Sequence, residues 1–194
     1  MSKFWASLSY SWQQGKNFTR GQWLRFVGWL AVAATILVCL VASRYLPFIH
    51  VSEPHSVTYL LLAYIGHFGF FPFLIWLLLL IPLAVILPRR WLILPVGFVS
   101  VFAGLSLLAF DTTVYLQYRF HLSGFVWELL TGPGAGEIIK LSWFTIAVIV
   151  FTFVAIALIS AWGLSFSAWC ISEKALAGKG KYVFLSWFVA LIGS

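Results

Sequence analysis

The sequence predicts an all-α integral membrane protein: a five-transmembrane-helix bundle with interfacial amphipathic helices between helices 3 and 4. Three observations predict it. Hydrophobic residues make up 62% of the chain and charged residues 9%, against roughly 45–50% and about 25% in soluble domains. Mean hydropathy is +1.01, and several apolar runs reach the ~20 residues that a helix needs to cross a hydrocarbon core. Those runs also lack the alternating polarity of a transmembrane β-strand.

Residues 1–25 are polar but place Phe4, Trp5, Leu8 and Trp12 on one helical stripe, with Lys3, Lys16, Arg20 and Arg25 around it. This is the pattern of a cytoplasmic amphipathic segment lying on the membrane surface. Residues 26–194 form the transmembrane domain. Its first span, residues 26–43, begins late and is longer than the 7–15 apolar residues of a signal-peptide core, so it is read as a retained helix. Pro47 and Pro54 mark the loop that follows. The second span, residues 58–87, would be about 45 Å long at 1.5 Å per residue, against a core of about 30 Å. It must tilt, kink or project into the headgroups; Pro72 and Pro82 supply kink points, and Pro88, Arg89 and Arg90 end it.

The third span covers residues 91–110. The segment 111–140 is too polar to cross a bilayer and too aromatic for a free linker. Val114, Tyr118 and Leu122 recur at i, i+4, i+8, and Val126, Leu129 and Leu130 at i, i+3, i+4, as in short interfacial helices. A fourth span runs over residues 141–165, and its apolar character continues to Ile171. The fifth, residues 182–194, falls short of a full span and is expected to be incomplete.

Orientation follows from the basic residues. With the N-terminus inside, Lys3, Lys16, Arg20, Arg25, Arg89, Arg90, Lys174, Lys179 and Lys181 are cytoplasmic, and only Arg44, Arg119 and Lys140 lie outside. That asymmetry obeys the positive-inside rule and makes segment 111–140 extracytoplasmic. The net charge of +7 is thereby explained by flanking residues and anionic headgroups, not by nucleic acid. Cys39 and Cys170 fall in different runs near opposite faces, so neither a disulfide nor a metal-ligand spacing is expected.

No catalytic residue, metal or cofactor is expected. The histidines His50, His55, His67 and His121 form no HxxxH or HxH array, and neither GxSxG nor a phosphate-cradling glycine loop is present. His67 is the one ionisable residue well inside an apolar run, which makes it a functional candidate. The length of the second span puts it near the level of Asp111, so its expected role is an inter-helix polar contact with Asp111; a proton relay or ligand role is the alternative. Arg44, Arg119, His121, Trp127 and Lys140 could form a basic and aromatic rim at the outer leaflet. Guanidinium groups bind phosphate bidentately and tryptophan prefers the interface, so both anionic-lipid binding and ordinary interfacial anchoring fit this rim. Small residues Ala31, Ala34, Gly97, Gly104 and Gly163 would permit close helix packing.

The run Ala63-Tyr64-Ile65-Gly66-His67-Phe68, the stretch 79–83 with its proline, and Leu107-Leu108-Ala109-Phe110-Asp111 continuing to His121-Leu122 and Val126-Trp127-Glu128-Leu129 resemble the N-terminal transmembrane domain of YejM/PbgA-type inner-membrane proteins of Gram-negative bacteria. The likeness spans roughly residues 58–140. It implies a five-helix domain in the bacterial inner membrane, with a cytoplasmic N-terminus and a chain end directed to the periplasm. In the family a basic linker and a periplasmic domain of the sulfatase and alkaline-phosphatase superfamily follow; this sequence stops at Ser194, so that domain and linker are expected to lie beyond it. The resemblance also implies a role in lipopolysaccharide (lipid A) homeostasis. The domain would bind a LapB (YciM) adaptor in the bilayer and so restrain FtsH proteolysis of LpxC, with lipid A or cardiolipin as lipid partners. The competing expectations are an anchor for a periplasmic hydrolase or headgroup transferase, and cardiolipin transport. Transport ranks last, since only His67 interrupts the apolar runs with an ionisable group.

Overall fold

The computed structural model describes residues 18–48, 53–124, 128, 132 and 142–171. All regular structure among these residues is helical. Helix α1 (Arg20–Ala42) begins at a capping box: Thr19 Oγ1 accepts the Gln22 N–H at 3.3 Å, and the Gln22 side chain accepts the Thr19 N–H at 2.8 Å. The first helix therefore starts at Arg20 and not at the edge of the apolar run, Phe26. Beyond Ala42 it tightens into a 3₁₀ turn, Ser43–Phe48, that contains Pro47.

Helix α2 (Pro54–Ile75) starts with proline in its first turn, where the missing N–H costs nothing. It passes into a π-helical turn, Trp76–Leu80, and then α3 (Ile81–Ile86). At the join the Ile81 N–H bonds to the Trp76 carbonyl, five residues back. This widened turn lies between Pro72 and Pro82, whose rings cannot donate to the ladder and press on the preceding turn. The expected break is thus an inserted residue between the two prolines, and one continuous span, Pro54–Ile86, results.

Helix α4 (Arg90–Tyr118) extends past the expected end at residue 110, so the start of segment 111–140 is helical. Helix α5 (Trp143–Ile171) likewise runs beyond residue 165. Ser142 caps it, accepting the Thr145 N–H at 3.1 Å. Among the described residues four stretches are long and apolar enough to cross a membrane: Arg20–Pro47, Pro54–Ile86, Arg90–Gln117 and Trp143–Ile171. The expected fifth span, the surface stripe of residues 4–12, and Val126, Leu129 and Leu130 lie outside the described residues.

Helix α1 is the axis of the bundle, in contact with α2, α3, α4 and α5. Its Trp23, Phe26, Val27, Leu30, Ala31 and Ala34 are buried against Trp76, Leu80 and Ala84, Ile93, Val101 and Leu105, and Ile156, Leu164 and Ala168. In lipid, helices associate by close packing and not by a hydrophobic drive, so small residues mark the contacts. A Cβ at Gly69 would meet Thr35 Cγ2 at 3.6 Å, one at Gly97 would meet Leu30 Cδ2 at 2.9 Å, and one at Gly163 would meet Leu37 Cδ1 at 3.9 Å. Gly104 differs from the expectation: nothing lies within 4 Å of a Cβ there.

These contacts orient the bundle. Leu30 meets Gly97 while Arg44 meets Thr112, so α1 and α4 run parallel. Thr35 meets Gly69 while Cys39 meets Tyr64, so α2 runs antiparallel to α1. One end of the bundle therefore gathers Arg20, Arg25, Arg89 and Arg90, and the other gathers Arg44, Asp111 and Arg119. Helix α5 packs unevenly. Every residue from Trp143 to Val154 is exposed, and burial begins at Ile156.

Candidate functional site

The densest polar junction among the described residues forms at the Asp111 end. Asp111 is on α4 two turns before its C-terminus. Its carboxylate accepts the Tyr45 hydroxyl and the Leu122 N–H, the latter at 2.5 Å, and it meets His121 Nδ1 at 2.8 Å. These partners come from the turn after α1 and from the chain just past α4. A carboxylate offers about four lone-pair sites, so three donors leave it nearly saturated.

Backbone conformation explains how His121 and Leu122 return to it. Arg119 caps α4 with φ 63° and ψ 21°, the left-handed region, and its N–H bonds to the Tyr115 carbonyl at 2.9 Å. Glycine usually occupies such a cap, and an L-residue there costs roughly 1–2 kcal/mol. The bonds to Asp111 offset that strain. Aromatic rings complete the corner: His121 stacks on Tyr115 at 4.7 Å and 23° and lies 5.5 Å from the Tyr45 ring. Tyr45 in turn stacks on Phe68 of α2 at 5.9 Å and 11°. The junction therefore ties together α1, α2, α4 and the chain leaving α4.

Thr112, fully buried, donates to the Ala109 carbonyl at 2.9 Å and accepts from Arg44 Nη1 at 3.5 Å. Arg44 thus reaches a neutral hydroxyl beside a carboxylate that other donors already occupy. Among the described residues no ion pair neutralises its charge, and the side chain is exposed.

The structure brings Arg44, Arg119 and His121 together around the Asp111–Thr112 corner, whereas Trp127 and Lys140 lie outside the described residues. The expected His67–Asp111 contact is absent. His67 is exposed and meets the rings of Phe68 and Phe71 edge-on, at 5.1 and 5.7 Å. Asp111 points instead to Tyr45, and α2 joins through the neighbouring Phe68 ring and through Tyr64, whose hydroxyl donates to the Cys39 carbonyl. Sequence reasoning missed Tyr45, Tyr115 and Thr112. Tyr115, four residues after Asp111 and so on the same helix face, carried a usable signal; Tyr45 is 66 residues away in sequence and carried none.

Residues 14–194 match a family model described as a domain of unknown function, DUF3413. The chain belongs to the DUF3413 family. Within it, the chain is 33% identical over 116 residues to the inner membrane protein YejM of Salmonella typhimurium, covering 58% of this chain and 19% of that protein. The YejM of Salmonella typhi matches to the same extent. An uncharacterized protein of Haemophilus influenzae is 32% identical over 114 residues, covering 56% of this chain and 19% of its own length. The aligned part is thus about a fifth of each relative. The resemblance to the membrane domain of YejM-type proteins stands, and this DUF3413 chain is a YejM-type membrane protein.

Proposed function

We propose that this chain is a regulatory and scaffolding membrane domain. It binds an adaptor's membrane helix within the bilayer and contacts anionic lipid at the Asp111 end. The observation that carries the reading is the YejM-type family membership over residues 14–194, which brings with it the inner membrane printed in the relatives' names. Two structural features support it. Large apolar side chains such as Ile149, Phe151 and Val154 are exposed along α5, as a surface meant for lipid or another helix requires. Arg44 and His121 stand exposed beside a saturated carboxylate, as headgroup contacts would.

In this reading the N-terminus is cytoplasmic, the Asp111 end faces the periplasm, and residues 182–194 begin a fifth span. The partner is a LapB-type adaptor, restrained so that FtsH spares LpxC, in lipopolysaccharide homeostasis. Co-purification from membranes tests this. The chain should retain an adaptor bearing its own membrane helix and lose one whose helix is replaced by an unrelated span; equal retention of both would refute the bilayer contact. A second reading, the anchor of a periplasmic hydrolase, is favoured by one fact: the relatives extend far beyond the matched fifth of their length.

A further inference from the structure

His67 is a polar side chain turned away from the bundle. It lies inside the span Pro54–Ile86, yet it is exposed. Among the described residues it meets the rings of Phe68 and Phe71, and neither of its nitrogens has a hydrogen-bond partner. Its depth follows from its neighbours on α2. Gly69 faces Thr35, and Tyr64 bonds to the Cys39 carbonyl, so His67 is level with residues 35–39 of α1. At 1.5 Å per residue that stretch lies about 8–14 Å inward of Arg44 and about 15–21 Å from Arg25. Water does not solvate a lipid-facing group at that depth, and an imidazole without a partner there is costly.

The surface around His67 has the shape of a helix contact. Leu62 and Ala63, Gly66 and His67, and Phe70 and Phe71 form pairs four residues apart on one outward stripe. That spacing builds the ridges and grooves of a right-handed crossing at about −40°. Gly66 is the groove. A Cβ there would meet nothing within 4 Å, whereas Cβ atoms at Gly69, Gly97 and Gly163 would meet other helices of the chain.

Whatever covers the stripe must also satisfy the imidazole. A neutral ring has one N–H and one bare nitrogen, so it both donates and accepts. A second copy of this chain supplies that complement by symmetry. Copies inserted the same way hold α2 parallel and bring Gly66 and His67 to the same depth. About a twofold axis beside Gly66, the N–H of one ring can meet the bare nitrogen of the other, and the contact closes at two chains. We propose that this face of α2 is the interface of a parallel homodimer, closely packed at Gly66 and bonded from His67 to the second copy's His67. It uses neither the Asp111 corner nor α5, so it stands apart from the contacts proposed above.

The test is Förster transfer between full-length copies carrying a donor or an acceptor dye at the N-terminus, in phosphatidylcholine vesicles over a range of protein-to-lipid ratios. The wild type should dimerise reversibly. A hydrogen bond between membrane helices changes an association constant about three- to fifteenfold, so His67→Leu should weaken the dimer by that factor. His67→Asn, which also donates and accepts, should restore it. Gly66→Ile should weaken it further, whereas Gly104→Ile, equally open but on α4, should leave it intact. Oxidation of Ala63→Cys in membranes should link two copies, and oxidation of Val99→Cys, exposed on α4, should not. Unchanged helix content by circular dichroism shows that each variant folds. A chain that stays monomeric at every ratio overturns the proposal, as does a dimer indifferent to both His67→Leu and Gly66→Ile. Linkage of Ala63→Cys to a different polypeptide, with no product between copies, assigns the stripe to a foreign helix and overturns it as well.

Discussion

Replacing Tyr45 with phenylalanine removes one hydroxyl and keeps the ring that stacks on Phe68 and packs edge-on to Tyr115 at 5.2 Å. The change therefore isolates the bond to Asp111. Hydrogen bonds to charged groups contribute about 1.5–3 kcal/mol in soluble proteins, whereas bonds between membrane helices average about 0.6 and reach about 1.7. Tyr45 is buried and its acceptor is a carboxylate, so the upper part of the membrane range applies, and Tyr45→Phe should cost about 1.5 kcal/mol. Asp111→Asn should cost more, about 2–3 kcal/mol, because the amide cannot accept from Tyr45, His121 and Leu122 together and loses the charge that strengthens all three bonds. Since both changes break the same bond, the double variant should fall short of additivity by about 1 kcal/mol. Equilibrium unfolding in mixed micelles, followed by circular dichroism, measures all three. A cost for Tyr45→Phe below about 0.3 kcal/mol, or additive losses in the double variant, would refute the claim that this bond organises the junction. The same cycle with His67→Ala and Asp111→Asn should be additive, because among the described residues His67 meets aromatic rings and not Asp111.

Two further predictions follow from packing and topology. Gly97→Ala should destabilise by roughly 1–3 kcal/mol, because its Cβ would lie 2.9 Å from Leu30 Cδ2 and Leu30 is 1% exposed with nowhere to move; Gly104→Ala, in open space, should be neutral or slightly stabilising in the same unfolding assay. A reporter fused after Lys181 should read as cytoplasmic and one inserted at Gly134 as periplasmic; the reverse pattern would invert the proposed orientation.

The four spans found among the described residues were legible in the sequence because hydropathy in lipid is a coarse, additive signal. It needs neither register nor partners. Their ends were less legible, since a cap or a cap's absence decides them. The Thr19–Gln22 box sits among polar residues that read as surface helix, so the start at Arg20 was missed. The end of α4 was placed at residue 110 because Asp111 looked too polar to continue a span. It continues because Tyr45 and the returning chain satisfy it. Arg44 and His121 were singled out by residue type, but not the reason that each turns to the Asp111–Thr112 pair. That reason is tertiary: a left-handed Arg119 and a tyrosine from another helix, neither visible in a local pattern.

A carboxylate at this position does more than close a turn. Helix α1 touches each of the other described α-helices, and the turn that carries Arg44 and Tyr45 is its direct continuation. Tyr45 binds Asp111 while Arg44 binds the next residue, Thr112, so adjacent residues of one helix end grip adjacent residues of another. His121 meets the same carboxylate oxygen as Tyr45, Oδ2, and the Leu122 N–H binds the other, Oδ1. The chain leaving α4 is therefore tied to the end of α1 by Asp111, by the Arg44–Thr112 bond and by the Tyr45–His121 ring contact, while the half of α5 nearest this end is exposed from Trp143 to Val154. Arg44 is a reporter of that link, since its guanidinium shares the turn with Tyr45. In the proposed lipid contact, a headgroup that draws Arg44 outward would pull on the pair that Asp111 holds, and a rearrangement of Asp111 would move Arg44 in return. In that proposed contact, binding at the corner would be coupled to the packing of the central helix through these contiguous bonds, as a membrane domain that converts lipid contact into a change at its helix surface requires.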